Sequence, residues 1–166
     1  MKKVLVVEDE TPVRENINEI LELEGFIVKQ ATNGKEGLRL ASVFLPDLII
    51  SDVMMPELDG YGLLTELRKN PELSTVPFLF LTAKADMTDL RKGMILGADD
   101  YLTKPFTIDS LLQAVQARLA KQDELKEKAE QKLNNLRRSI STSLPHELRT
   151  PLNSILGFSE ILSTGY

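Results

Sequence analysis

Five short apolar runs, rich in β-branched and aromatic residues, alternate with amphipathic stretches along the front of the chain. The runs are Lys3–Val7, Phe26–Ala31, Leu48–Ser51, Phe78–Leu81 and Asp100–Leu102. The first, third and fourth are almost continuously apolar, as expected of strands covered on both faces of a parallel sheet. Between them, apolar positions at helical spacing predict helices near 12–24, 35–44, 60–69 and 86–96, with Gly25, Asn33-Gly34, Pro46 and Gly97 at the joints. Strands that alternate with helices build right-handed βαβ units. The expected fold is therefore α/β: a doubly wound, five-stranded parallel sheet. The pattern by itself leaves the strand order open.

Beyond Thr107 the pattern changes. No strand-like run follows, and no glycine or proline falls between Phe106 and Leu144. Apolar residues recur at spacings of three and four: Leu112, Val115 and Leu119, then Ala129, Leu133, Leu136 and Ile140. Gln122 and Lys126 share this register and weaken its middle. The prediction is one long C-terminal helix that packs on the domain and then continues as a coiled coil, with a parallel homodimer as its consequence. The plainer alternative is a solvated charged helix over Lys121–Gln131. The stripe resumes in phase after the charges, which favours the coiled coil. Three parts follow: an α/β domain over 1–120, a linker helix over 121–143, and a distinct segment over 144–166.

Composition narrows the function. With 42% hydrophobic residues the chain can bury a core, and with no cysteine it has neither disulfides nor thiolate metal sites. The start, Met1-Lys2-Lys3, leads into an apolar run shorter than the ~7–15 residues of a secretory signal. Nothing approaches the ~20 apolar residues of a membrane span. The expectation is a cytoplasmic protein without membrane insertion. Residues 1–120 carry net −6 and residues 121–166 net +1, so neither part has the basic surface of a nucleic-acid binder.

Open α/β sheets bind ligands outside the carboxyl ends of their strands. At those ends stand Glu8 and Asp9, then Asp52, Thr82 and Lys104. Clustered carboxylates without His or Cys suit a hard cation such as Mg²⁺. Lys104 can offset remaining negative charge, and Thr82 can donate to an oxyanion. There is no Ser-His pair, so triad hydrolysis is excluded. A carboxylate can instead attack a phosphoryl group whose oxygens are held by Mg²⁺, lysine and hydroxyl, giving an acyl phosphate. No glycine-rich phosphate loop is present, so ATP is not the expected donor at this site. Phosphomonoester or haloacid hydrolysis is disfavoured, because Asp52 is followed by Val53 and Met54 and not by a second Asp on the strand. Of the other candidates, Asp99 and Asp100 read as solvated, Asp59-Gly60 as a loop end capping the next helix, and Met54, Met55 and Met87 as filler.

Four motifs, in order, resemble the response-regulator receiver family of two-component signalling: Val4-Leu-Val-Val-Glu-Asp-Glu10, Ser51-Asp-Val-Met-Met-Pro-Glu-Leu-Asp-Gly60, Leu81-Thr-Ala83 and Gly97-Ala-Asp-Asp-Tyr-Leu-Thr-Lys-Pro-Phe106. The resemblance covers residues 2 to about 120 and implies a flavodoxin-like fold with strand order 2-1-3-4-5. It implies Asp52 as phosphoacceptor and Mg²⁺ held by Asp9, Asp52 and the Met54 carbonyl, with Glu8 acting nearby. Thr82 and Lys104 would bind the phosphoryl group, and Tyr101 would be the aromatic that turns inward when Thr82 moves. A cis Lys104-Pro105 bond is expected. The implied donor is a histidine kinase or a phosphotransfer protein.

The single histidine lies in Leu144-Pro-His-Glu-Leu-Arg-Thr-Pro-Leu-Asn-Ser-Ile-Leu-Gly-Phe-Ser-Glu-Ile-Leu162. Alone, His146 would read as a surface residue. The surrounding string is similar to the dimerisation and phosphoacceptor helix of histidine kinases. That implies a phosphorylatable His146, with Glu147 as assisting base and Thr150 orienting water. The implied parent is a hybrid in which the receiver regulates a kinase core that moves phosphate from ATP to His146, although no ATP-binding motif lies in this chain. The competing expectation is a non-catalytic dimeric regulator that acts only by phosphorylation-dependent partner binding.

Overall fold

The computed structural model describes residues 1–83 and 87–143. The segment containing His146, Glu147 and Thr150 lies outside the described residues. In chain order the elements are β1 (Lys3–Val7), α1 (Thr11–Leu23), β2 (Ile27–Ala31), α2 (Gly34–Phe44), β3 (Leu48–Asp52), α3 (Gly60–Lys69), β4 (Phe78–Thr82), α4 (Met87–Leu96), β5 (Asp100–Thr103) and α5 (Ile108–Ser143). All strand pairs are parallel, in the order β2-β1-β3-β4-β5. This is the flavodoxin-like doubly wound fold with a long C-terminal helix.

The period-two alternation of each strand sends its side chains to opposite layers. One core joins Leu5, Val7, Ile49, Phe78 and Phe80 to Leu63, Leu64 and Leu67 of α3. The other joins Val4, Val6, Leu48, Ile50, Leu79 and Leu81 to Ile17 and Leu21 of α1 and to Leu111, Val115 and Leu119 of α5. Each fully buried large aliphatic or aromatic side chain contributes about 1.5–3 kcal/mol relative to exposure. The three central strands therefore anchor the domain.

Side-chain caps mark the starts of α2 and α3. Asn33 Oδ1 accepts from the Glu36 amide at 2.8 Å, and Glu36 Oε2 accepts from the Thr32 amide and hydroxyl at 3.2 and 2.8 Å. Asp59 caps α3 through the Gly62 amide at 2.8 Å, as its loop-end position predicts.

Three details differ from the sequence expectation. Asp52 and Thr82 are the last residues of β3 and β4 rather than the first beyond them. Asp99 and Asp100 are not merely solvated: Asp99 Oδ2 accepts from the Phe78 amide at 2.7 Å and lies 3.5 Å from Arg68, while Asp100 lies 3.6 Å from Arg118. The approach to β5 runs beside β4 and α5, so both carboxylates find donors there. Met54 is 76% exposed and fills nothing, although Met55 packs partly against the core.

The first compact unit ends at Gln122. In the second, residues 123–143 of α5 carry Leu125, Leu133, Leu136 and Ile140 exposed to solvent.

Candidate functional site: an acid pocket at the carboxyl edge of the sheet

The ends of β1 and β3 bring the acids together. Glu8 follows β1 with its side chain fully buried; its amide donates to Ala31 O at 3.0 Å, and its carbonyl accepts from Arg14 Nη1 at 2.9 Å. Asp9, the next residue, is exposed. Asp52 is 7% exposed; its Oδ1 accepts from the Val53 amide at 2.8 Å, which fixes the rotation of the carboxylate. Carboxylate oxygens of Glu8, Asp9 and Asp52 lie within 4.8 Å of one another.

The ends of β4 and β5 supply the hydroxyl and the cation. Thr82 closes β4 and is buried. Lys104 follows β5; its amide donates to Thr82 O at 2.7 Å, and its Nζ donates to Glu8 Oε1 at 2.5 Å and to Asp52 Oδ2 at 3.2 Å. The Lys104-Pro105 bond is cis. The resulting depression, about 380 Å³, is lined by Asp9, Glu10, Asp52, Val53, Met54, Tyr61, Thr82, Ala83 and Lys104.

Electrostatics follow from this crowding. Burial pushes the Glu8 carboxyl up to about 8, and the neighbouring Asp52 side chain adds to the rise against the opposing pull of Lys104. For Lys104, burial disfavours the ammonium, but Glu8 and Asp52 outweigh it and hold its pKa above the ordinary lysine value. The second Glu8 oxygen, Oε2, is buried without a hydrogen-bond partner. A buried, unpartnered carboxylate oxygen beside two further carboxylates is a donor set that fits a hard divalent cation.

Gly60 and Tyr61 take roles at the site that the sequence did not assign to them. Gly60 donates its amide to Val53 O at 2.8 Å, and a β-carbon on it would overlap the Asp52 carbonyl oxygen and stand 2.8 Å from Phe80 Cε1. The first turn of α3 thus rests on the backbone of Asp52. That seating brings Tyr61 to the pocket wall, where Lys92 Nζ lies 4.5 Å over its ring. The signal for Tyr61 was present in its place after Asp59-Gly60, but it is readable only once Gly60 is placed. Tyr101 is half-buried on β5, paired with Phe80 and packed at 5.4 Å between ring centroids.

The carboxyl edge of the parallel sheet thus gathers three carboxylates, a hydroxyl and an ammonium. The family description "Response regulator receiver domain" matches residues 4–116, and the chain belongs to that family. It is 36% identical over 129 residues to the "DNA-binding dual master transcriptional regulator RpaA" of Synechocystis, covering 78% of this chain and 54% of that protein. It is 43% identical over 116 residues to a protein of Guillardia theta named "Probable transcriptional regulator ycf27", covering 70% of this chain and 44% of that one. The chain thus spans about half the length of the curated relatives it matches. Among solved structures, the signal receiver domain of a signal transduction histidine kinase from Syntrophus aciditrophicus superposes with a TM-score of 0.68 at 40% identity, covering 73% of this chain and 92% of that one. The family match ends at residue 116, so the His146 segment rests on its own sequence motif.

Proposed function

We propose that this receiver accepts a phosphoryl group on Asp52 in a Mg²⁺-dependent reaction and transmits the change to a protein partner. The observation that carries the reading is the Lys104 ammonium, in contact with both Glu8 and Asp52 beside the cluster of three carboxylates. Asp9, Asp52 and the Met54 carbonyl would hold the ion, with Glu8 beside them. When bound, the ion would offset charge on the transferring phosphoryl oxygens. Asp52 Oδ2 forms the new P–O bond as the P–N bond of a donor phosphohistidine breaks and the imidazole departs with that electron pair. Lys104 and the Thr82 hydroxyl hold the phosphoryl oxygens. The Val53 amide keeps Asp52 from rotating away.

The output we favour is non-catalytic: a homodimer, joined through α5, that binds partners according to phosphorylation. Two kinds of support converge. Curated relatives over this span are named as transcriptional regulators, and Leu125, Leu133, Leu136 and Ile140 leave apolar surface exposed on the distal part of α5. The acidic balance of residues 1–120 argues against nucleic acid as a direct ligand of the receiver itself. A second reading, in which the receiver controls a histidine-kinase core, is favoured by the Leu144–Leu162 motif.

The test combines a small phosphodonor, such as acetyl phosphate, with Mg²⁺ and reads intact mass. Wild type gains one phosphoryl group; Asp52→Asn and EDTA-treated protein do not. Labelling that persists in Asp52→Asn refutes the assignment. ATP-dependent labelling of His146, in a longer chain carrying this segment, would favour the second reading over the first.

A further inference from the structure

We infer that Gly93 of α4 is a positioning residue: it provides the seat in which the Tyr101 ring packs, and the size of residue 93 sets whether that ring can lie against the sheet. The inference deepens the proposed function and rests on it for the link to Asp52.

Three rings form a row: Tyr61 lies 5.2 Å from Phe80 between centroids, and Phe80 lies 5.4 Å from Tyr101. Tyr61 lines the acid pocket, and Tyr101 is the β5 register partner of Phe80. The row therefore runs from the pocket wall to the far edge strand. Where α4 crosses it, the helix presents Gly93. A β-carbon built there would overlap the Tyr101 hydroxyl oxygen and stand 2.8 Å from its Cζ and 3.0 Å from Phe80 Cε2. Backbone conformation gives no reason for this glycine, since Gly93 lies inside a helix and is not among the positive-φ residues. Glycine is a poor choice for a helix interior on propensity alone. The demand comes from packing: α4 lies so close to the ring that no side chain fits between them.

A methyl group at 93 would push Tyr101 outward while leaving the acids, Thr82 and Lys104 untouched. The Gly93→Ala variant would then accept a phosphoryl group yet lose the ring's share in the response.

The test uses the full chain labelled with 3-fluorotyrosine, Tyr101 being assigned by Tyr101→Phe, and Mg²⁺ with beryllofluoride as the phosphoryl mimic. Fluorine NMR of wild type should place Tyr101 in a packed environment that changes on addition of the mimic. In Gly93→Ala the signal should sit at the solvent-exposed position and lose that change, while the mimic still binds. Urea unfolding supplies a second readout. Gly93→Ala should lower the midpoint in the Tyr101 background and raise it in Tyr101→Ala, where alanine's better helix propensity is felt without the clash. A Tyr101 signal unaltered by Gly93→Ala, or a midpoint that falls equally in both backgrounds, overturns the seat. A wild type that does not bind the mimic overturns the phosphoacceptor reading instead, and the unfolding pair still decides the seat.

Discussion

Replacing Lys104 with methionine should separate two properties of the pocket that ordinarily change together. The side chain keeps its length but loses the ammonium that touches Glu8 Oε1 at 2.5 Å and Asp52 Oδ2 at 3.2 Å. An ion on those carboxylates lies about 5–7 Å from that ammonium, given metal–oxygen distances near 2.1 Å. A divalent ion and an ammonium at that separation repel by about 1–2 kcal/mol at the dielectric of water and about 5–7 kcal/mol at an effective value of 20. The pocket is open to solvent and the lysine side chain is 16% exposed, so the water-like end of that range applies. Mg²⁺ should therefore bind about tenfold more tightly to Lys104→Met. The phosphoryl group, in contrast, loses a charge-assisted partner, so acceptance from acetyl phosphate should slow by at least about tenfold. Calorimetric Mg²⁺ titration, with both proteins compared in a Glu8→Gln background so that the carboxyl whose proton Lys104 helps displace is absent, measures the first. Intact-mass time courses measure the second. If the variant binds Mg²⁺ more weakly than wild type, the charge reasoning is wrong. If it accepts phosphate at an unchanged rate, Lys104 does not contact the phosphoryl group.

Three further outcomes follow from the same geometry. For metal-free protein, the raised Glu8 pKa means that the folded chain keeps a proton the unfolded chain releases above its ordinary value of 4.5. Stability should thus fall as pH rises from about 4.5 to about 8; urea midpoints across that window check it, and a flat profile in Glu8→Gln identifies the group. Arg68 donates to Val76 O at 2.8 Å and to Gly97 O at 2.7 Å, tying α3 to the approaches of β4 and β5. Arg68→Ala should cost about 2–3 kcal/mol in denaturant unfolding while leaving Mg²⁺ affinity unchanged, and a matching loss of affinity would show that the staple also shapes the pocket. Asp59→Ala removes the α3 cap and should cost about 1 kcal/mol by the same measurement.

Much of this architecture is legible locally, because a parallel sheet writes its strands as bare apolar runs. Leu48–Ser51 and Phe78–Leu81 could hardly be anything else once helices flank them. The positions of Glu8, Asp9, Asp52, Thr82 and Lys104 follow from one rule about strand ends. Strand order did not follow from pattern; it came with the family resemblance, since which strands lie side by side depends on crossovers that leave little local mark. What escaped the sequence depends on contacts between distant segments. Asp99 looks like any surface acid until the Phe78 amide, 21 residues away, is placed 2.7 Å from it. Met54 looks like filler until the loop after β3 turns it into solvent. Gly60 looks like a turn residue until α3 is seated on Asp52.

The separation of the chemistry from the outer surface has an evolutionary consequence. Asp52 and Thr82 end two neighbouring, fully buried strands, and Lys104 reaches them from the loop beyond a third. Asp52 and Thr82 are thus held by the buried ends of strands, while most of the exposed surface of the helices lies away from them. Such a design is modular. The outer faces can drift toward new partners while selection on the pocket stays constant, so one chemical switch can be rewired into many circuits without being rebuilt.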